Sequence, residues 1–280
     1  MDVQIRVVRS DDVAAAVRLS ETAGWNQTAA DWERFLRANE EGCFAAVRDD
    51  RVVGTLATIV YEGRFGWIGM VVVEPGHRGG GIGTALLEQA IAHLDSRRVA
   101  TMKLDATPQG RPLYEKLGFV AEYPIERWSL KRQGDRKARE TAPRRQLEDV
   151  LRLDREVFGA DRSGLLQALA DDALDFVRVA RKDRAVVGYT FGRRGSRADQ
   201  MGPWMAGGKA IAEALLDEFL GTSERELVFV ECLLQNAWSV ELVKARGFEL
   251  SRSLTRMFRG PNRFPGLPGL LGAILGPEFG

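Results

Sequence analysis

Cysteine and histidine are scarce, with two of each in 280 residues. Cys43 and Cys232 lie far apart and outside any C-x-x-C spacing, which argues against a disulfide framework and a cysteine-based metal site. A reducing, cytoplasmic setting is the expectation, with no metal. Long apolar runs are missing too: nothing approaches the ~18 residues of a membrane-spanning helix. The first residues, MDVQIRVVRSDD, have no apolar signal-peptide core. The apolar tail FPGLPGLLGAILGPEFG is interrupted by proline and glycine, and suits packing within the chain or against a neighbour. Excess charge of either sign is absent: 40 Lys and Arg stand against 39 Asp and Glu, net +1. That balance removes the electrostatic footprint of a nucleic-acid or anionic-membrane binder. No lysine precedes Lys103.

What the chain does have is glycine in one place. VVVEPGHRGGGIGTALL holds five glycines between Gly76 and Gly83. An apolar run precedes them and helical spacing follows. The missing lysine excludes a Walker A loop there, and G-x-G-x-x-G/A fails because Thr84 or Leu86 takes its last position. What remains is Arg78-x-x-Gly81-x-Gly83, between a strand and a helix. Glycines let successive N–H groups face one concavity, and the helix start adds unpaired N–H groups and a positive dipole end. The stretch therefore reads as a pyrophosphate seat.

The pattern around it alternates strands and helices. CFAAVRDDRVVGTLATIVYEGRFGWIGMVVV reads as three strands with turns at Asp49-Asp50 and Glu62-Gly63. ATMKLDA is a buried strand, RPLYEKLGF a short helix closed by Gly118, and VAEYPIERWSL a last strand. Residues 131–144, KRQGDRKARETAPR, are charged and without apolar period, and read as a linker. The second half then repeats the first. RVVGTLATIV matches AVVGYTFGRR, GTALLEQAIAHL matches AIAEALLDEFLG, and Gly118-Phe119 aligns with Gly247-Phe248. Similarity in this order points to duplication.

MVVVEPGHRGGGIGTALLEQA followed by RPLYEKLGFV resembles the GNAT (Gcn5-related N-acetyltransferase) superfamily. The second half resembles the same module more weakly, and LDREVFGADRSGLL, GPWMA, RSLTRMFRG and AGWNQTAADW are similar to tandem proteins of the YitH type. The resemblance implies an α+β fold of two tandem GNAT-like domains, each a mixed, mostly antiparallel twisted sheet flanked by helices. The implied division is an acetyl-CoA-binding domain at 1–130, the linker, and a degenerate domain at 145–280 that shapes the substrate site or is structural.

The resemblance also implies acetyl-CoA as co-substrate. Its pantetheine arm would follow Val71, Val72 and Val73, and its pyrophosphate would sit on Arg78, Gly79, Gly80, Gly81, Ile82, Gly83 and Thr84. A primary amine, on a small molecule or a peptide, would attack directly in a ternary complex. Tyr114 matches the family tyrosine near the CoA sulfur, as general acid for the leaving thiolate; it also suits packing of helix on sheet. The base stays open among Asp105, Glu21, Glu74 and a water chain. Trp25 and Asn26, placed in the first helix region, would roof the acceptor pocket, and Asp161 and Arg162 would reach it from the second half. The alternative for that last pair is an ion pair or a helix cap. The second copy has GPWMAGGKA in place of the loop, where Trp204 and Met205 add bulk, so the cofactor belongs to the first copy. The competing reading is a non-catalytic acyl-CoA-binding regulatory module.

Overall fold

The computed structural model describes residues 3–132 and 147–280. The first half runs β1 (Gln4–Val7), α1 (Val13–Thr22), α2 (Ala29–Asn39), β2 (Cys43–Arg48), β3 (Arg51–Tyr61), β4 (Phe65–Val73), α3 (Ile82–Ser96), β5 (Met102–Ala106), α4 (Arg111–Lys116) and β6 (Val120–Lys131). The second runs α5 (Glu148–Phe158), α6 (Ser163–Asp172), β7 (Arg178–Lys182), β8 (Ala185–Arg194), β9 (Asp199–Ala206), α7 (Lys209–Thr222), β10 (Leu227–Leu233), α8 (Ala237–Ala245), β11 (Glu249–Arg259) and β12 (Leu271–Ala273).

The duplication is visible in the backbone. The β2–β3 hairpin turns through Asp49 and Asp50 at φ 49° and 58°, and the β7–β8 hairpin through Asp183 and Arg184 at 49° and 70°. Both turns carry positive φ at the two central residues, whose twist suits a right-handed hairpin. Gly118 after α4 and Gly247 after α8 have φ of 84° and 80°.

The two halves share one sheet of 12 strands, ordered β1-β2-β3-β4-β5-β11-β6-β10-β12-β9-β8-β7. Their last strands have changed places. β11 of the second half lies beside β5 of the first, with Thr255 opposite Ala106 and Arg259 opposite Met102. β6 of the first half lies beside β10 of the second, from Leu227↔Lys131 to Leu233↔Ile125. β6 and β11 pair with each other and close the exchange. Residue 131 therefore belongs to a strand, and Arg132 is buried, donating to the carbonyls of Leu220 and Ser223 at 2.7 and 3.0 Å. The first two positions of the expected linker thus belong to the fold, and its remaining positions lie outside the described residues.

One apolar core packs α1, α2, α5 and α6 against one face of the sheet, through Leu19, Trp32, Phe35, Val150, Val157 and Leu169. On the other face, α3 and α4 cover the first half through Leu86, Leu87, Ala90, Leu94 and Tyr114. α7 covers the second half through Leu215, Leu216 and Phe219. The tail enters the first of these cores: Leu275 and Phe279 are 1% and 0% exposed.

Candidate functional site

β4 and β5 run parallel and pair only at Gly66↔Met102 and Trp67↔Lys103. Beyond that point they diverge, and a cleft of about 770 Å3 opens between them. The divergence begins at a bulge. Pairing of β3 with β4 slips between Thr55 and Ala57, Met70 sits at φ 57°, and Thr55 Oγ1 donates to the Met70 carbonyl at 3.1 Å. A bulge bends its strand and frees it from its partner. Val71, Val72 and Val73 follow and line the cleft.

The glycine loop stands at one end. α3 starts at Ile82 behind Gly81, whose φ is 83°, and Gly79 has φ 78°. A Cβ at Gly79 or Gly81 would meet nothing within 4 Å, so this backbone is bare toward the cleft. The N–H groups from Gly79 to Thr84 have no acceptor among the described residues. Arg78 Nε donates to the Val73 carbonyl at 2.8 Å and ties the loop to the end of β4. Unpaired N–H groups, bare glycine backbone and a helix start fit a pyrophosphate. Gly80 is the one member of the expected set that does not line the cleft; Arg78, Gly79, Gly81, Ile82, Gly83 and Thr84 do.

Tyr114 lines the cleft from α4, on the same face of the sheet as α3. Its ring packs edge-on to Phe119 at 6.1 Å, and its hydroxyl has no hydrogen-bond partner among the described residues. Burial pushes its pKa up to about 12. A tyrosine so placed keeps its proton at neutral pH and can give it only to something entering the cleft.

The cleft passes through the sheet. On the opposite face it is lined by Trp25, Gln27, Asp105, Arg252, Leu254 and Glu278. Arg252 and Leu254 come from the exchanged strand β11, and Glu278 from the tail. The tail reaches this far because Gly69 has no side chain: a Cβ there would come within 2.5 Å of the Glu278 carbonyl oxygen. Trp67 Nε1 donates to the Pro277 carbonyl at 3.2 Å, and Tyr61 to that of Phe279 at 2.7 Å.

Several sequence expectations need correction. Trp25 and Asn26 lie in the loop between α1 and α2. Trp25 does line the cleft, but Asn26 does not. Asn26 is fully buried, donates to the Ala198 carbonyl at 3.1 Å, and accepts from the N–H groups of Arg197 and Ala198 at 2.9 Å each. All its bonding groups are used to clamp one half to the other. Asp161 and Arg162 are also outside the cleft. Arg162 forms a two-pronged pair with Asp154 at 2.8 Å on both arms and donates to the Gly280 carbonyl at 2.9 Å. Asp161 is exposed, accepting from the Ser163 N–H at 2.8 Å. Sequence proximity to a family motif does not say which way a side chain faces; these three serve the fold.

Of the candidate bases, Glu21 is exposed and does not line the cleft, and neither does Glu74, which stands 3.1 Å from His77 Nδ1. Asp105 lines the cleft, bonded by both oxygens to Arg256 at 2.9 Å. Burial raises its pKa, and Arg256 opposes that rise. Neither Cys43 nor Cys232 lines the cleft; both are buried, and burial pushes the Cys43 thiol up to about 12. Among the described residues no cluster of His, Cys, Asp and Glu could hold a metal, and no helix is long and apolar enough to cross a membrane.

Gln27, Arg252 and Glu278 were not anticipated. Arg252 had a signal: in RSLTR it shares the inward phase of Leu254 and Arg256. So had Glu278, the single charge in an apolar tail.

The second copy has lost its cleft. β9 and β10 pair at Val228↔Asp199 through Val230↔Met201 and then diverge, as β4 and β5 do. β12 fills the gap, with Ala273 opposite both Cys232 and Trp204. Trp204 is fully buried and packs edge-on to Trp238 at 5.1 Å. Bulk at GPWMA is thus part of the reason; the chain's own tail occupies the rest.

The fold, one α+β module repeated around a through-sheet cleft, is that of an acetyltransferase. Residues 12–119 match the Acetyltransferase (GNAT) family, and residues 150–269 match an Acetyltransferase (GNAT) domain. The chain belongs to the GNAT acetyltransferases and carries the domain twice. It is similar to holothin acyltransferase of Pseudoalteromonas sp. (strain SANK 73390), 26% identical over 84% of this chain and 81% of that protein. It is also similar to the uncharacterized N-acetyltransferase YitH of Bacillus subtilis (strain 168), 25% identical over 77% of this chain and 78% of that one. A solved structure from Pyrococcus horikoshii shares the fold with a TM-score of 0.82 at 24% identity, over 99% of this chain and 96% of the other. A GCN5-related N-acetyltransferase from Sphaerobacter thermophilus does so at 0.67 and 16%, over 92% and 95%.

Proposed function

We propose that the protein is an acetyl-CoA-dependent N-acyltransferase that moves an acetyl group to a primary amine within a ternary complex. One observation carries this reading: a single cleft joins the N–H cradle of Gly79–Thr84 and Tyr114 on one face to an acceptor chamber on the other. The domain division follows the same logic, with residues 1–130 holding the cofactor and 145–280 supplying part of the acceptor chamber.

When bound, acetyl-CoA supplies an activated thioester carbonyl. The N–H groups of residues 79–84 hold phosphate oxygens, aided by Arg78. The backbone of Val71 to Val73 pairs with an extended ligand arm along the free side of β4. A fixed N–H aimed at a carbonyl oxygen contributes about 3 kcal/mol to such a transfer. Tyr114 holds the proton that the leaving sulfur needs. An alkylamine with pKa about 10.4 is neutral to roughly one part in a thousand at pH 7, a cost of ~4 kcal/mol. Withdrawal from water inside the cleft helps by favouring the neutral amine.

Release of free thiol from acetyl-CoA, followed with a thiol-reactive dye against an amine panel, tests the reading. Transfer to an amine is the expected result. Binding of CoA without transfer to any amine, peptide or polyamine would mark a binding-only regulatory module instead.

A further inference from the structure

On the acceptor face of the cleft, Arg252 is a cation that the fold leaves without a counter-ion. It makes no hydrogen bond or ion pair among the described residues, and its Nε is shut off from solvent and bonded to nothing. The carboxylates of Glu231, Glu278 and Asp105 all bear on it. Each is already engaged elsewhere. Glu231 pairs with Arg127 and accepts from Gln200 at 2.6 Å. Glu278 pairs with Arg193. Asp105 takes both prongs of Arg256. Burial, with Arg127 nearby, pushes the Arg252 pKa down to about 10, which still leaves it charged at neutral pH.

A half-buried guanidinium whose Nε has no partner is costly to keep, and its fork matches a carboxylate. Two acceptors belong to the same chamber. Gln27 Oε1 and Glu278 Oε2 are buried and receive no hydrogen bond, while both residues line the cleft with Arg252. Buried polar atoms without partners are rare in folded chains. Here they form a complementary set: one donor fork and two acceptors, in the chamber opposite the phosphate cradle.

We propose that the acyl acceptor is an amine that also bears a carboxylate, an amino-acid-like zwitterion whose carboxylate is seated on Arg252 while its nitrogen faces Gln27 and Glu278. The proposal rests on the acyltransferase reading and sharpens its substrate class. A site built to bond an ionic group discriminates strongly against the analogue that lacks it, because its own polar groups are then left unpaired.

The test compares the common amino acids with their carboxamides, which keep the amine and lose the negative charge. Free-thiol release should favour the acid of a pair about ten- to hundredfold in kcat/KM. Arg252→Gln should erase that preference by raising KM for the acid, with the Kd for CoA unchanged. Arg252→Lys, which keeps the charge and loses the fork, should restore part of it and serves if Arg252→Gln does not fold. Equal use of acid and amide overturns the proposal, as does an Arg252→Gln variant that weakens both alike or weakens CoA instead. A second arm needs no turnover: calorimetric titration of N-acetylated amino acids and the matching N-acetyl carboxamides in the presence of CoA. If no amine is acetylated, the acyltransferase reading fails, and this arm alone decides Arg252. Tighter binding of the acids, lost in Arg252→Gln, supports the seat; equal binding, or none, overturns it.

Discussion

Arg256 of the second half grips Asp105 of the first through two hydrogen bonds of 2.9 Å each, across the pair of strands β11 and β5. Arg256 also donates to the Tyr123 hydroxyl at 2.9 Å. The carboxylate best placed to act as a base is therefore held by an arginine from the other half. Strand exchange brings that arginine in, and with it Arg252 and Leu254. Sheet architecture and the chemistry of the acceptor chamber are one problem here.

Both carboxylates on the acceptor face, Asp105 and Glu278, are paired to arginines, so the chamber presents no unpaired carboxylate as base. The kcat/KM for an alkylamine acceptor is thus expected to climb about tenfold per pH unit from pH 7 toward pH 10, following the neutral amine fraction. Tyr114 does not bend this profile downward. Burial raises its pKa to about 12, so the acid form persists through the whole window and is lost only above it. A steady-state pH series checks this; a plateau already at pH 7 would reveal a base.

Tyr114→Phe removes only the hydroxyl from a ring packed on Phe119. Turnover should fall about a hundredfold or more, the usual worth of a general acid. Calorimetry should find the Kd for CoA nearly unchanged. Unchanged turnover would take Tyr114 out of the mechanism.

Gly81→Ala places a Cβ at φ 83° and on the bare side of the phosphate cradle. The left-handed conformation costs a non-glycine residue about 1–2 kcal/mol. We expect KM for acetyl-CoA to rise about tenfold, or ~1.4 kcal/mol of binding, with kcat little altered.

Phe279 is fully buried and stacks on Phe35 at 4.8 Å, holding the segment that carries Glu278. Phe279→Ala should cost about 3–5 kcal/mol in denaturant unfolding. The same opening should raise the amine KM more than that for acetyl-CoA, since Glu278 lies on the acceptor face.

Arg162 and Asp154 are each 1% exposed, and Tyr189 also donates to Asp154 at 2.7 Å. Arg162→Ala leaves a buried carboxylate uncompensated, a loss of about 3–5 kcal/mol. At a temperature where the variant stays folded, its amine KM should equal that of the parent. A selective rise in amine KM would return Arg162 to the acceptor site.

The sequence by itself determined the elements and the backbone of the glycine loop. Alternating apolar positions, the paired turns at Asp49-Asp50 and Glu62-Gly63, and the matched Gly118 and Gly247 are local features that propensity and φ requirements impose on any fold of this chain. The Arg78–Gly83 loop is equally local: strand, bare glycines and helix start are contiguous, so the proposed phosphate seat can be read from a few adjacent residues. Tertiary structure alone decided the proposed acceptor end. Gln27, Asp105, Arg252 and Glu278 come from four distant segments, and only the exchange of β6 with β11 and the threading of the tail past Gly69 bring them together. Asn26 and Arg162 were misread for the same reason. Whether a polar side chain lines a cleft or pins two halves together depends on what packs against it, and no spacing within the chain records that.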